Sequence, residues 1–283
     1  SKVMSVCGIF GGVGNGPDLR RDVERLATFA RQRGADSSGF VFNANGGYEV
    51  CRADFDVESL KRKVSLPQAS IIAGHSRLVT NGHLDNQPVV RDGVIVLHNG
   101  IVVNSADLWD HIGALPELEI DTEILPVIAR DEINKSGSID SIPARVFELC
   151  EGVVNCAMLV PGEGKLLLFT NNGSLYTGSK NKNIYFSSEA FPLKKIGCEG
   201  IAQVKETVTF DIPRSDTKPI IRDNVRSRSN LVPTLPKVSQ QEELLTLPEL
   251  HLTRCSKCIL PETMPFISFD ETGVCNYCHS YTP

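Results

Sequence analysis

Cys7-Gly8-Ile9-Phe10-Gly11 places a cysteine, a glycine and an apolar pair in succession near the start of the chain. Glycine beside apolar residues reads as the head of a buried strand, and the cysteine as a reactive group carried there. The arrangement suits an N-terminal nucleophile, in which one residue supplies the attacking thiol and, through its own α-amine, the base. An α-amine titrates near ~7.7–8.0, so much of it is neutral at pH 7 and able to take the thiol proton. A structural thiol heading a core strand fits the same stretch. The remainder of the chain decides between the two.

The 283 residues are 41% hydrophobic, which suits one large domain with an appendage. A formal charge of −5 without a long Lys/Arg run excludes a nucleic-acid footprint. No apolar run reaches the length of a membrane helix, and none near the start reads as a signal segment, so a cytoplasmic location is expected. Of nine cysteines, four form two CxxC pairs near the C-terminus, a pattern for metal in a reducing compartment rather than for disulfides. Cys51, Cys150, Cys156 and Cys198 read as core thiols.

Residues 1–6 precede Cys7 as a leader or propeptide. A free α-amine on Cys7 requires its removal, for instance by attack of Cys7 on the Val6 carbonyl. A remnant ahead of a native Met4, or a Cys7 that never becomes terminal, are the alternatives.

Outward from this stretch, apolar Val23, Leu26, Ala27 and Ala30 recur at helical spacing over Asp18–Arg33. The turn-rich Arg33-Gly34-Ala35-Asp36-Ser37-Ser38-Gly39 leads into a strand at Phe40–Phe42. Strands are expected at Tyr48–Arg52 and from Ser70 through Arg77, with a helix at Val57–Lys63 between them. Thr80-Asn81-Gly82 reads as a turn. Val94–Leu97 is a β-branched run delivering His98-Asn99-Gly100 to a strand end, where a site would be built. Arg77 and Asn99 are costly beside apolar strands unless they are used, whereas His75 and His98 read as satisfied core histidines. Helices follow at Ser105–His111, Asp121–Asn134 and Ile142–Cys150, and capping alone would account for Asp121. Strands at Asn155–Val160, Leu166–Thr170, Leu175-Tyr176, Ile184–Glu189 and Thr207–Ile212 complete a picture of two stacked sheets covered by helices. Residues 213–250 lose the pattern and read as a linker or wrapping arm.

Five motifs now stand in order: Cys-Gly-Ile-Phe-Gly, Arg-Gly-Ala-Asp-Ser-Ser-Gly, Gly-His-Ser-Arg-Leu-Val-Thr-Asn-Gly, His-Asn-Gly-Ile-Val-Val-Asn and Asp-Thr-Glu. Over residues 7–212 the chain resembles class II glutamine amidotransferase domains. The resemblance implies an α+β fold, a four-layer αββα sandwich of the N-terminal-nucleophile hydrolase type. It implies Cys7 as nucleophile, with Asn99 and Gly100 as the oxyanion hole. It also implies Arg77 on the substrate α-carboxylate and Asp121 on the ammonium of L-glutamine, with Arg33 shaping the pocket and Thr80 and Gly82 lining it. Leu78 and Asn81 depart from the phosphosugar synthases of the family, which carry an aromatic residue and a histidine there.

Cys255-Ser256-Lys257-Cys258 and Cys275-Asn276-Tyr277-Cys278 lie sixteen residues apart, a spacing that lets four thiolates surround a structural Zn²⁺. His279 reads as a surface histidine, and Phe266–Gly273 as a strand and turn. Residues 251–283 are thus expected to form a small zinc-ribbon-like element. This segment resembles the opening of ATP-pyrophosphatase-type N-acetyl sugar amidotransferases, which implies an ATP-dependent synthetase domain or subunit as ammonia acceptor, with an oligomer compatible. Ser136–Ser141 superficially matches the phosphate loop of those enzymes, but it lies between two helices and reads as a turn. A glutaminase for phosphosugar or asparagine-type synthesis, and a glutamine-binding scaffold without turnover, are the competing readings.

Overall fold

A computed structural model describes residues 8–78, 85–224 and 252–281, in two units, Ser1–Val225 and Arg226–Pro283. In the first unit the elements run β1 (Gly8–Gly14), α1 (Leu19–Ala30), β2 (Ser37–Ala44), β3 (Gly47–Ala53), α2 (Val57–Lys63), β4 (Ile71–Arg77), β5 (Val89–Arg91) and β6 (Val94–Val102). They continue with α3 (Ser105–Ile112), α4 (Ile124–Ser136), α5 (Ile142–Leu149), β7 (Gly152–Val160), β8 (Lys165–Thr170), β9 (Tyr176–Lys180), β10 (Asn183–Ser187), α6 (Ala190–Ile196), β11 (Glu199–Gln203), β12 (Val208–Asp211) and β13 (Ile220–Asn224).

Strand alternation sorts these into four layers. An eight-stranded sheet runs β11-β9-β10-β1-β4-β2-β3-β13, and a five-stranded sheet β12-β8-β7-β6-β5. Ile9, Val13, Val41, Ile71 and Ala73 of the first sheet pack against Ile95, Leu97, Ala157 and Leu159 of the second, forming a core between the sheets. The opposite parity, Phe10, Phe40 and Ile72, packs under α1, α2 and α6 through Val23, Leu26, Leu60 and Leu193. Val94, Val96, Val154 and Cys156 pack under α3, α4 and α5 on the far side. The expected helix–sheet–sheet–helix order is what the residues build, because the central strands are apolar on both faces.

Several local expectations change. The strand expected at Phe40 begins at Ser37, since Ser37 and Ser38 pair with Arg77 and Ser76. Helix α1 is shorter than Asp18–Arg33 and passes into a 3-10 turn at Arg31–Arg33. Residues 220–224, read as linker, instead add a parallel edge strand beside β3. This strand is exposed and polar, held by Arg52–Asp223 at 2.6 Å and Arg222–Glu49 at 3.1 Å, so no apolar alternation announces it. α6 and β11 also emerge between the strands expected at Ile184 and Thr207. As expected, Ser136–Ser141 is a turn, with Gly137 at φ +69° closing α4.

The second unit, over 252–281, has one short helix, α7 (Asn276–Ser280). The strand expected at Phe266–Gly273 is instead a single bridge between Phe269 and Cys275. The buried side chains of this span are Cys255 and Cys275. No helix among the described residues is long and apolar enough to cross a membrane.

Candidate active site

Cys7, Thr80, Asn81 and Gly82 lie outside the described residues. The structure places their sequence neighbours, and with them Arg33, Arg77, Asn99, Gly100 and Asp121, at one end of the sheet pair.

The first residue of β1 is Gly8, and Arg33 Cδ lies 3.4 Å from where its Cβ would stand. The Arg33 guanidinium pairs with Glu189, which follows β10. At Gly34 the backbone presses on β4: a Cβ there would sit 2.4 Å from Arg77 C and Leu78 N, so only glycine fits. Asp36 N donates to Arg77 O at 3.0 Å and Ser76 Oγ to Gly34 O at 2.6 Å, which fixes this turn beside the end of β4. Arg77 is 3% exposed and donates from Nη1 to Asp85 O at 2.6 Å.

Strand β6 supplies the second wall. Val154 N and O are both engaged by Asn171, so the Gly100–Val154 pair is a non-hydrogen-bonded one and the Gly100 amide faces away from β7. Along that same edge His98 N–H donates to Gln87 Oε1 at 2.6 Å and Val102 N–H to Asp121 Oδ2 at 2.7 Å. The Gly100 N–H lies between them. Gln87 Nε2 also donates to His98 O at 2.9 Å, so its carboxamide stands in for a neighbouring strand. Asp121, expected as a possible helix cap, makes no cap bond and binds the backbone of β6 instead.

Asn99 is fully buried, its Nδ2 3.3 Å from Ser188 Oγ and its backbone carbonyl accepting from Asn155 Nδ2 at 2.7 Å. Ser188 in turn binds β1: its N donates to Ile9 O and Ile9 N to its Oγ, both at 2.9 Å. Ser188 and Glu189 were read from sequence only as the polar end of a strand. The signal that distinguishes them is their position, directly across from the residues after Cys7.

The two core histidines carry more than filling. His98 binds Thr122 Oγ1 through Nδ1 and Val153 O through Nε2, each at 3.1 Å, tying β6 to the Asp121 turn. Burial pushes its pKa down, and Arg77 pushes it the same way, while Asp121 and the Val153 carbonyl oppose them. Burial first and Arg77 second hold His75 down at about 3, so it is neutral at pH 7. One guanidinium and one carboxylate therefore act, with opposite sign, on the same imidazole beside Asn99.

In the second unit the sulfurs of Cys255, Cys258, Cys275 and Cys278 all lie within 4.8 Å of one another. Cys255–Cys278 is 3.8 Å and Cys258–Cys275 is 3.6 Å. Burial opposes ionisation of Cys255, but backbone N–H groups of Cys258, Cys275 and Lys257 hold its thiol down at about 6. His279 stays outside the group, its Nε2 2.6 Å from Asp270 Oδ2.

No protein-family model matches the chain. A glutamine–fructose-6-phosphate aminotransferase (isomerizing) of Rhizobium meliloti is 30% identical over 200 residues, 66% of this chain and 32% of that protein. A protein of the same name from Halobacterium salinarum is 26% identical over 192 residues. The chain thus spans about a third of the length of the curated relatives it matches. The solved structure of glutamine phosphoribosylpyrophosphate amidotransferase from B. subtilis, complexed with ADP and GMP, superposes with a TM-score of 0.57 at 19% identity. That match covers 72% of this chain and 49% of the other. The first unit thus shares sequence with about a third of a glutamine–fructose-6-phosphate aminotransferase and shares its fold with a glutamine phosphoribosylpyrophosphate amidotransferase.

Proposed function

We propose that the first unit hydrolyses L-glutamine to L-glutamate and ammonia, with the Cys7 thiol as nucleophile and the Cys7 α-amine as base. The thiol proton passes to the amine, and sulfur attacks the side-chain amide carbon. The resulting oxyanion takes hydrogen bonds from the Asn99 amide and the Gly100 N–H, which points outward from β6 between two occupied neighbours. The amine then protonates the leaving nitrogen, ammonia departs, and water hydrolyses the thioester. Arg77 takes the α-carboxylate, Asp121 the α-ammonium through the oxygen not used by Val102, and Arg33 with Glu189 walls the pocket beside Gly8. Thr80 and Gly82 line it.

The observation that carries this reading is that Arg77 is buried at the end of β4 while Asp121 is held on the backbone of β6, at Val102, two residues beyond Gly100. A zwitterionic amino acid needs one group of each sign beside the reacting amide. The test is labelling with the glutamine analogue 6-diazo-5-oxo-L-norleucine and peptide mass spectrometry. The modification is expected on Cys7, in chains whose intact mass shows the leader removed. Label on another residue, or full activity with the leader retained, overturns the assignment.

The ammonia acceptor is proposed to be an ATP-dependent synthetase domain or subunit acting on a sugar, and the location cytoplasmic. In the second unit the four thiols are proposed to hold structural zinc. Tetrahedral Zn–S bonds of about 2.3 Å place sulfurs about 3.8 Å apart, and the pairs Cys258–Cys275 and Cys255–Cys278 stand at 3.6 and 3.8 Å. Four protein ligands leave no open position, so the ion would supply fold rather than chemistry. Metal analysis of the purified protein is expected to find one zinc per chain.

A further inference from the structure

Asn99 is fully buried, yet its Oδ1 has no hydrogen-bond partner among the described residues, while its Nδ2 lies 3.3 Å from Ser188 Oγ. A buried amide oxygen without a donor is costly, and a half-turn of the carboxamide exchanges its two ends. Ser188 Oγ already accepts the Ile9 N–H at 2.9 Å, and a hydroxyl has one proton left to give. After the half-turn Oδ1 receives that proton, and both Nδ2 hydrogens face the space Oδ1 had occupied. The one buried acceptor lacking a partner at Asn99 is then satisfied, with no movement of backbone.

The geometry points to Ser188 as a positioning residue, whose hydroxyl, itself fixed by the strand that follows Cys7, holds the Asn99 carboxamide with its N–H donors toward the developing oxyanion. The role deepens the glutaminase reading and rests on it. Ser188 couples the two sheets at the one place where nucleophile and oxyanion donor must keep a constant separation. Its own backbone remains tied through Ser188 N to Ile9 O at 2.9 Å, so loss of the hydroxyl leaves the chain path intact.

The experiment measures glutaminase kcat and KM for S188A, N99A and the double variant, alongside thermal melts. N99A is expected to lower kcat about 10²- to 10³-fold. S188A is expected to lower kcat about 10- to 100-fold with the glutamine KM changed less than about twofold, the mark of an interaction made in the transition state. In the N99A background, removing Ser188 should cost nothing further, because the hydroxyl acts only through that amide. Wild-type kcat in S188A, or losses that multiply in the double variant, overturn the proposal. S188C, which offers a poor donor in a similar volume, goes through the same cycle and stands in if S188A does not fold. Wild-type protein that does not hydrolyse glutamine overturns both readings together, whereas hydrolysis indifferent to Ser188 overturns this one alone.

Discussion

At position 100 a Cβ would sit 1.7 Å from Val153 O and 2.7 Å from His98 Nε2. The obstacle is backbone, which cannot swing aside as a side chain would. Gly100→Ala is therefore expected to destabilise the first unit by at least the ~1–3 kcal/mol typical of overpacking, and to break the His98–Val153 contact. A lowered urea midpoint would show it; an unchanged midpoint would contradict the packing described. His75 and His98 give a pH signature. Both are held neutral by burial, His75 at about 3, whereas the unfolded chain protonates near pH 6.5. The folded state thus binds fewer protons, so stability present above pH ~6.5 is lost as pH falls below it, by up to about 1.4 kcal/mol per pH unit per histidine. Urea unfolding between pH 7.5 and 5 should show the slope, and His75→Phe, which removes one of the two buried imidazoles, should flatten it. Much of the proposed site was legible residue by residue. Arg77 and Asn99 stood out because charge and amide are expensive beside apolar strands. Ser188 and Gln87 did not, because a serine or glutamine at a strand end is ordinary until its partner across the fold is known.

Among the elements, β6 depends on a side chain for part of its hydrogen bonding. Gln87 supplies acceptor and donor to His98 where β5 has ended, and its Nε2 also reaches Thr122 Oγ1 at 3.3 Å. Gln87→Ala leaves a buried N–H and C=O unpaired, at about 1–3 kcal/mol each. The expected result is a drop of about 2–6 kcal/mol in unfolding free energy, with a fall in kcat as Asn99 and Gly100 lose their frame. A variant that keeps wild-type stability would show that the strand does not need this clamp. The apolar runs Val94–Leu97, Asn155–Val160 and Leu166–Thr170 made the five-stranded sheet readable, because these strands are buried on both faces. β13 was not readable, since ion pairs rather than apolar contacts hold it at the edge. The expected boundary at Ile212 fell short for that reason.

Taken whole, the chain joins a domain with three apolar layers of contact to a span that has almost none. The two should answer differently to a chelator. Treatment with excess EDTA is expected to unfold residues 252–281 while the first unit keeps its melting transition, because metal binding in so small a unit is folding free energy. Hydrogen exchange would resolve the two regions; protection persisting in 252–281 after metal removal would contradict the zinc assignment. The paired CxxC spacing announced the cluster from sequence, whereas Phe266–Gly273 misled, its apolar residues having no second strand to lie against.

The interior of that small unit is two cysteines, with two more at its rim, and this makes its tolerance to change lopsided. Trimming Ile259, which is 72% exposed, should pass unnoticed. Losing any one sulfur should leave the surrounding turns with nothing to close upon.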